Sequence, residues 1–187
     1  MKALLYSGGL DSTIVALMEQ PEALLFLDWG QKSAKWEWRT CKWWAKHYLK
    51  GQLVRLRIAR LEGDYAYVPA RNLNFVAVAV NWATVRGFKE ILLGLRSVAP
   101  QPDTTPLWIR ALNVFFAVIE PLPIKVRAPL HDIDYQTTLK ELARDYPLER
   151  TFSCSLELGV PCDALKGQDK RCYKCLEKDA LLRLISD

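Results

Sequence analysis

Long apolar runs, internal repeats and low-complexity segments are all absent from this chain of 187 residues. Its first apolar stretch, residues 3–6, is short and leads directly into glycines, which excludes a signal peptide and a membrane span there. No later run is apolar for long enough to cross a bilayer, so we expect a cytoplasmic protein without a membrane partner. In that compartment paired cysteines are more often metal ligands than disulfides.

Histidine is also scarce, with His47 and His131 as its two occurrences. Neither has ligand spacing, so we expect both to be structural. The chain is 50% hydrophobic and 25% charged, as in ordinary soluble proteins. This length supports one substantial core and is too short for two comfortable domains. We therefore predict a single domain over residues 1–187, with 151–187 as a cysteine-rich element at its end.

Short apolar strands alternate with helices along most of the chain. The predicted strands are residues 2–6, 23–27, 53–58, 90–95 and 124–128. The predicted helices are residues 12–20, 32–50, 72–86, 106–118, 135–146 and 176–185. Because the early strands are continuous apolar runs separated by helices, the pattern predicts an α/β fold. We expect a Rossmann-like parallel sheet of about five strands, with helices on both faces and ligands at the carboxyl ends of the strands.

A glycine loop follows the first predicted strand, with the sequence Ser7-Gly8-Gly9-Leu10-Asp11-Ser12-Thr13. Its glycines allow N–H groups to approach an anion, and the next helix points its positive end at the same place. Ser7, Ser12 and Thr13 add hydroxyl donors. Asp11 would repel phosphates unless a cation lay between them, so we interpret it as a Mg²⁺ partner. A capped strand-to-helix turn without a ligand is the structural alternative.

The glycine loop differs from the Walker loop, which requires Gly-x4-Gly-Lys-Ser/Thr. It resembles the SGGxDS signature of the PP-loop ATP pyrophosphatases. That resemblance implies that ATP binds to residues 7–13, which hold its pyrophosphate part while a substrate attacks the α-phosphate. The product of such a step is an adenylated substrate.

Further motifs narrow the resemblance to one family. In chain order they are Asp28-Trp29-Gly30-Gln31, Val68-Pro69-Ala70-Arg71-Asn72, Gly94, Pro102-Asp103, Phe152-Ser153-Cys154 and Cys172-Tyr173-Lys174-Cys175. Together they resemble the QueC family, the 7-cyano-7-deazaguanine synthases of queuosine biosynthesis. The resemblance runs from the first strand to the last helix, and the joint order of the motifs carries it.

The QueC resemblance implies an ATP-dependent carbon–nitrogen ligase. ATP would adenylate the carboxylate of 7-carboxy-7-deazaguanine, because a carboxylate is a poor electrophile until its oxygen becomes a leaving group. Ammonia would then attack the acyl-adenylate, and a second activation would dehydrate the amide to a nitrile. We expect Asp11 and Arg71 to be catalytic, with Arg71 making a forked contact to a carboxylate or phosphate.

Five polar residues are the predicted substrate-binding set: Asp28, Gln31, Arg71, Asn72 and Asp103. Their side chains carry the donors and acceptors that a purine-like edge needs. The structural alternative is that Asp28 and Asp103 cap turns, while Arg71 and Asn72 start a helix.

Four of the five cysteines lie near the end of the sequence. Cys172 and Cys175 form a chelating pair with spacing suited to zinc, and Cys154 and Cys162 lie upstream. Four thiolates would complete a tetrahedral zinc site and hold in place a segment that has little apolar content of its own. The alternative is that the four cysteines are free and bind no metal. The family's first cysteine of C-x-x-C-x-x-C would fall at Asp169, so we expect Cys162 to replace it from a longer loop.

Positive charge is concentrated in the second predicted helix. The net charge is +5, and nine basic residues lie between Gln31 and Arg60 against one acid, Glu37. Five of them form a basic stripe within about 80° of the helix circumference: Lys32, Lys35, Arg39, Lys42 and Lys46. Trp36 and Trp43 flank the basic stripe, a composition typical of surfaces that bind protein or nucleic acid. A solvated face, with the tryptophans under lysine stems or in a homodimer, is the alternative.

Two departures from the family pattern affect the substrate side and leave the ATP loop intact. Residues 96–100 have no acid where relatives usually carry one, and Ala70 stands where glycine is usual. Transfer of the activated deazaguanine to another amine, such as one on a protein, therefore stays open as an alternative. The basic stripe also favours a tRNA-modifying enzyme of the same superfamily. A zinc module with an inactive nucleotide loop is the non-enzymatic alternative.

Overall fold

The computed structural model describes residues 1–62, 68–97, 101–119, 121–154, 161–162 and 172–184. Within them lie five strands: β1 (Lys2–Leu5), β2 (Ala23–Asp28), β3 (Gln52–Arg57), β4 (Glu90–Leu92) and β5 (Lys125–Arg127). The α-helices are α1 (Leu10–Glu19), α2 (Ala34–His47), α3 (Arg71–Thr84), α4 (Pro106–Val114), α5 (Tyr135–Asp145) and α6 (Tyr173–Arg183). A π-helical turn, Phe115–Ile119, continues α4.

The five strands form one parallel sheet in the order β3-β2-β1-β4-β5. The central strands are apolar on both faces, and Leu4, Leu24 and Phe26 are almost fully buried. From β1 the chain winds outward to β3, then returns to place β4 on the other side of β1. This reversal leaves a crevice at the carboxyl ends of β1 and β4, where sheets of this kind bind ligands.

Helices cover both faces of the sheet. On one face Ala3 and Leu25 pack with residues of α3 and α4. On the other face Leu4 and Phe26 pack with residues of α1, α2 and α5. Successive side chains of a strand point to opposite faces, so one continuous apolar run supplies both cores.

The fold predicted from the sequence is confirmed. Each predicted strand and helix is present, and the largest difference in bounds is at α4, which ends at Val114 and passes into the π-helical turn. None of the described helices is long and apolar enough to cross a membrane. Residues 98–100 and Asp169 lie outside the described residues. The assignment of 1–187 to a single domain stays a prediction.

Candidate functional site

The phosphate loop, residues 7–13, turns from β1 into α1 at the carboxyl edge of the sheet. Gly8 has a φ of 75°, in the left-handed region that favours glycine. A Cβ at Gly8 would also lie 3.1 Å from Thr40 Cγ2 and 3.3 Å from Cys41 Sγ. Gly9 is extended and directly precedes α1, so the first N–H groups of the helix open toward the loop. The backbone therefore has the form of an anion site at a helix N-terminus.

The hydroxyl groups of the phosphate loop have two different environments. Ser7 Oγ and Ser12 Oγ lie 3.3 Å apart, and both serines line the cavities in front of the loop. Thr13 is fully buried, and its hydroxyl lies 3.2 Å from the Tyr6 hydroxyl. The described hydrogen bond of Thr13 thus ties the loop to the core, and its contact with ATP stays a prediction.

Gly94, which follows β4, is a second glycine on which the phosphate loop depends. A Cβ at this position would lie 2.8 Å from both N and Cα of Ser12. These are backbone atoms in the first turn of α1, so they cannot move aside without moving the start of the helix. The segment after β4 and the start of α1 therefore form one closely packed wall of the site.

Asp11 is held by two residues that are distant in sequence. Its Oδ2 accepts a hydrogen bond from Arg96 Nε at 3.2 Å, and its Oδ1 accepts one from the Tyr135 hydroxyl at 2.6 Å. Arg96 also donates to Glu177 on α6. Burial raises the pKa of Asp11, while Arg96 and Tyr135 oppose that shift. A guanidinium thus lies beside Asp11, and the Mg²⁺ that the sequence predicts there stays a prediction.

A cavity of about 320 Å³ opens in front of the phosphate loop. On one side it is lined by loop residues, which include Ser7, Gly9, Leu10, Asp11 and Ser12. Its other lining includes four basic residues, which are Arg71 from α3, Arg96 after β4, and Lys174 and Lys178 from α6, together with the acids Glu37 and Glu177. A lining that combines hydroxyl and backbone donors with four cations suits a chain of phosphates.

A larger cavity of about 510 Å³ adjoins the first at the carboxyl ends of β1 and β2. Leu5 and Leu27 contribute apolar lining, while Trp29 and Phe75 form an aromatic side with their ring centroids 6.2 Å apart. The residues common to both cavities are Ser7, Ser12, Glu37, Arg71, Gly94, Cys154 and Lys174. Apolar and aromatic lining suits a planar base, and the common residues mark where ligands in the two cavities would meet.

Arg71 and Asn72 begin α3 and line the larger cavity. Arg71 lines the smaller cavity as well, so it stands where the two meet. The preceding residue, Ala70, has a φ of 53°. Glycine, usual at this place in the family that the motifs resemble, adopts this left-handed conformation without a Cβ penalty. Alanine keeps the same backbone turn at a cost of about 1 kcal/mol.

Asp28 and Asp103, both predicted to bind substrate, are not among the described residues that line the two cavities. Asp28 Oδ2 accepts hydrogen bonds from Arg55 Nη2 at 2.6 Å and Arg55 Nε at 3.1 Å, which joins β2 to β3. Asp103 is half-buried in a short 3₁₀ turn before α4. The described contacts of Asp28 are structural, and a substrate role for either residue stays a prediction.

Glu37 on α2 is a half-buried acid that lines both cavities. Its Oε2 accepts a hydrogen bond from Gln31 Nε2 at 2.8 Å, and its Oε1 accepts one from the Ser33 hydroxyl at 2.7 Å. Gln31 Nε2 also donates to Leu27 O at 3.2 Å, and Gln31 Oε1 accepts from Trp29 N at 3.0 Å. The Gln31 amide therefore holds the loop after β2 in place. Burial raises the pKa of Glu37, and its bonds from Gln31 and Ser33 oppose the shift.

The cysteine cluster consists of the four predicted metal ligands, Cys154, Cys162, Cys172 and Cys175. Their Sγ atoms all lie within 4.8 Å of one another. Cys154 Sγ lies 3.5 Å from Cys162 Sγ and 3.9 Å from Cys172 Sγ. A tetrahedral site with Zn–S bonds of about 2.3 Å has sulfur atoms about 3.8 Å apart, so the cluster fits such an ion. Burial and the neighbouring thiols raise the pKa of Cys175, so this thiol stays protonated unless a cation lies among the four sulfur atoms.

The cysteine cluster lies directly beside the phosphate loop. Phe152 N donates to Gly8 O at 2.9 Å, and Phe152 packs against the cluster together with Trp36 of α2. Cys154 lines both cavities. A metal ion in the cluster would therefore fix the segment that covers the phosphate loop.

The basic stripe is exposed along its whole length, with four of its residues on α2 and Lys32 in the loop before the helix. Its two flanking tryptophans are half-buried and make contacts within the protein. Trp36 packs on the cysteine cluster, while the Arg150 guanidinium lies 4.8 Å from the Trp43 ring centroid. The surface thus presents cations more than aromatic rings. Lys32, at one end of the basic stripe, also lines the larger cavity.

Sequence reasoning did not identify Arg96, Tyr135, Glu177 or Glu37 as site residues. Arg96 follows a strand end, a position that this fold marks for ligand binding. Tyr135 is 124 residues from Asp11 in the chain, and Glu177 is 81 residues from Arg96. Both lie on helices that only the packing brings to the phosphate loop, so no local pattern indicates them.

Comparison with known proteins agrees with the resemblance of the motifs. The family model for queuosine biosynthesis protein QueC matches residues 59–180. A 7-cyano-7-deazaguanine synthase of Coxiella burnetii is 30% identical, over 85% of this chain and 85% of that protein. Proteins of the same name are 28% identical in Prochlorococcus marinus, over 92% of this chain and 87% of theirs, and in Azotobacter vinelandii, over 81% of each.

Proposed function

Because the chain belongs to the QueC family, we propose that it uses ATP to adenylate the carboxylate of 7-carboxy-7-deazaguanine and then couples the acyl group to an amine, ammonia in the first instance. The name 7-cyano-7-deazaguanine synthase, shared by its relatives, supports this reaction. The observation that carries the proposal is the pair of adjoining cavities, one at the phosphate loop and one with an aromatic side.

The smaller cavity would hold the phosphates of ATP. The N–H groups at the start of α1, together with Ser7 and Ser12, would donate from one side, and the basic lining would face them. Charge develops on the leaving pyrophosphate during the reaction, and donors already in place stabilise it without reorganisation. The α-phosphate would then lie toward Arg71, where the two cavities meet.

Magnesium would accompany the nucleotide, and the residues present fit it. Asp11 offers two carboxylate oxygens, each with one described hydrogen bond and a further lone pair. Mg²⁺ in phosphate sites typically takes one or two carboxylates, phosphate oxygens and water. When bound, it would neutralise part of the phosphate charge, and Asp11 would hold it beside the phosphate loop.

Adenylation would proceed by attack of a substrate carboxylate oxygen on the α-phosphorus, with pyrophosphate as the leaving group. Ammonia would attack the acyl carbon, and AMP would depart with the former carboxylate oxygen. In the second activation the amide oxygen would attack the α-phosphorus of another ATP with release of pyrophosphate, and loss of AMP and of both amide protons would leave the nitrile. Arg71 would orient the attacking carboxylate or the α-phosphate by a forked contact.

Zinc is the metal that we propose for the cysteine cluster. All four ligands are sulfur and no site is left for water, which is the composition of a structural zinc site. When bound, it would hold the cluster closed. Through the bond from Phe152 N to Gly8 O, that closure would keep the covering segment against the phosphate loop.

Transfer of the acyl group to an amine of another protein is the second candidate function. One observation favours it: Lys32 lines the larger cavity and also begins the exposed basic stripe. A cationic surface would therefore lead away from the cavity that holds the acyl group. Such a surface would attract a macromolecule with an acidic surface, whereas ammonia needs no cationic surface to reach the cavity.

The decisive experiment incubates the protein with MgATP and 7-carboxy-7-deazaguanine, with and without ammonia, and follows AMP, pyrophosphate and product mass. We expect AMP that depends on the deazaguanine, and a nitrile product when ammonia is present. Absence of substrate-dependent AMP would sink the proposal. AMP formation without nitrile, followed by a mass gain on an added protein amine, would select the second candidate.

Two aspartate variants sharpen that experiment. Asp11→Asn is expected to lower AMP formation by at least about tenfold, since it removes the charge that faces the nucleotide. Asp145→Asn makes the same chemical change at an exposed position on α5, outside the described lining of both cavities, and should leave AMP formation unchanged. The homodimer, a protein partner on the basic stripe and a cytoplasmic location stay predictions.

A further inference from the structure

Arg96 lines the phosphate cavity, and the family motifs assign it no role. It follows Gly94 and Leu95 after β4, the strand that pairs with β1 in the sheet. Since a Cβ at Gly94 would lie 2.8 Å from Ser12 N, this segment packs directly on the first turn of α1. Arg96 therefore reaches the phosphate loop from a neighbouring strand end.

Arg96 is positioned from three directions. Its Nε donates to Asp11 Oδ2 at 3.2 Å on α1, and its Nη2 donates to Glu177 Oε1 on α6. Its Cζ lies 5.1 Å from the ring centroid of Tyr135 on α5. Only 18% of the side chain is exposed, so these contacts restrict a residue that would otherwise be mobile. A guanidinium held in this way loses little entropy when it binds a ligand.

The guanidinium still has donors for a ligand. The two described hydrogen bonds engage two of its five N–H donors. Arg96 lines the smaller cavity together with Lys174, Lys178 and the residues of the phosphate loop. A planar fork of donors matches two oxygens of a phosphate group.

We infer that Arg96 is a pyrophosphate-binding residue: it holds the β- and γ-phosphates of ATP before cleavage and the pyrophosphate afterwards, while Asp11 and Glu177 aim its guanidinium. This assignment rests on the proposed function, because it needs a nucleotide in the smaller cavity. If Arg96 instead only pairs with Asp11 and Glu177 and contacts no phosphate, its replacement should leave the affinity for pyrophosphate unchanged.

Calorimetric titration with three probes separates these arrangements at fixed Mg²⁺: inorganic pyrophosphate, AMP, and α,β-methylene-ATP, whose α–β linkage resists cleavage. For Arg96→Gln we expect affinity for pyrophosphate and the ATP analogue to fall about 10- to 100-fold, the loss of charge-assisted hydrogen bonds. Affinity for AMP should change less than about twofold, because AMP carries neither the β- nor the γ-phosphate. Arg110→Gln is the matched control, since Arg110 is exposed on α4 and outside the described lining of either cavity.

Unchanged pyrophosphate affinity in Arg96→Gln would overturn the inference. Equal losses for all three probes would also overturn it, because Arg96 would then act by shaping the phosphate loop. If the glutamine variant does not fold, Arg96→Lys carries the test: it keeps the charge but not the fork, and should weaken pyrophosphate binding without weakening AMP binding. Wild-type protein that binds neither pyrophosphate nor the ATP analogue would refute the proposed function itself.

Discussion

Gly94→Ala tests whether the packing between β4 and α1 shapes the phosphate site. A methyl group at this position would lie 2.8 Å from Ser12 N and Cα, which belong to the helix backbone. Ordinary contact begins near 3.4 Å, so the start of α1 must shift by about 0.6 Å. The phosphate loop and the N–H groups of the first turn move with it.

Two magnitudes follow from that shift. Overpacking of this kind costs about 1–3 kcal/mol of unfolding free energy, which lowers Tm by about 2–12 °C in a chain of this size. A hydrogen bond from a helix N–H to phosphate would stretch from about 2.9 Å to about 3.5 Å, outside the normal range. Loss of one charge-assisted hydrogen bond costs about 1.5–3 kcal/mol, so pyrophosphate affinity should fall by at least about tenfold.

Gly51→Ala is the matched control. A Cβ at Gly51 would lie 2.4 Å from Pro21 O, so this variant also forces backbone to move. Gly51 directly precedes β3, at the amino edge of the sheet and away from the phosphate loop. We expect both variants to unfold at lower temperature in circular dichroism, and only Gly94→Ala to lose pyrophosphate affinity in calorimetry. Equal pyrophosphate affinity in the two variants would refute the reasoning.

Three further variants test the metal site and the two acids. Cys172→Ser removes one of four sulfur ligands, so we expect bound zinc to fall well below one ion per chain and Tm to drop; full zinc content by elemental analysis would contradict the site. Tyr135→Phe removes the donor to Asp11 that lowers its pKa, so the acid limb of kcat/KM against pH should move to higher pH; an unmoved limb would show that Asp11 is not the titrating group. Burial raises the pKa of Glu37 in the folded protein. The contribution of Glu37 to the stability of the fold is therefore complete at a pH below the pKa of the unfolded state, and it is lost as pH rises through the pKa of the folded state. Glu37→Gln cannot ionise, so its Tm relative to wild type should increase from pH 4 to pH 8, and a flat difference would contradict that assignment.

The elements of the fold and the phosphate loop were predictable because their signals are local. Strands such as 23–28 are continuous apolar runs, and their period and length differ from those of helices. The glycines at positions 8 and 9 indicate a turn at a strand end, where parallel sheets bind ligands. The cysteine cluster was predictable for a similar reason, since two thiols at chelating spacing indicate a metal site.

Individual side-chain roles were less predictable because a sequence does not show which atoms a side chain faces. Thr13 belongs to the loop motif, yet its hydroxyl lies against Tyr6 in the core. Asp28 follows a strand end, yet it pairs with Arg55 on the neighbouring strand. In both cases the period of the element and the strand order decide the partner, and neither is visible in the motif.

The sequence by itself determined that this protein has an alternating α/β fold, a phosphate loop after the first strand and four cysteines able to hold a metal. These features depend on residues close together in the chain. The tertiary structure alone decided that Arg96 and Tyr135 meet Asp11, and that Glu37 lies where the two cavities join. The physical reason is the return of the chain across β1: it sets β4 beside the first strand and brings α5 and α6 to the same edge of the sheet, which no local pattern encodes.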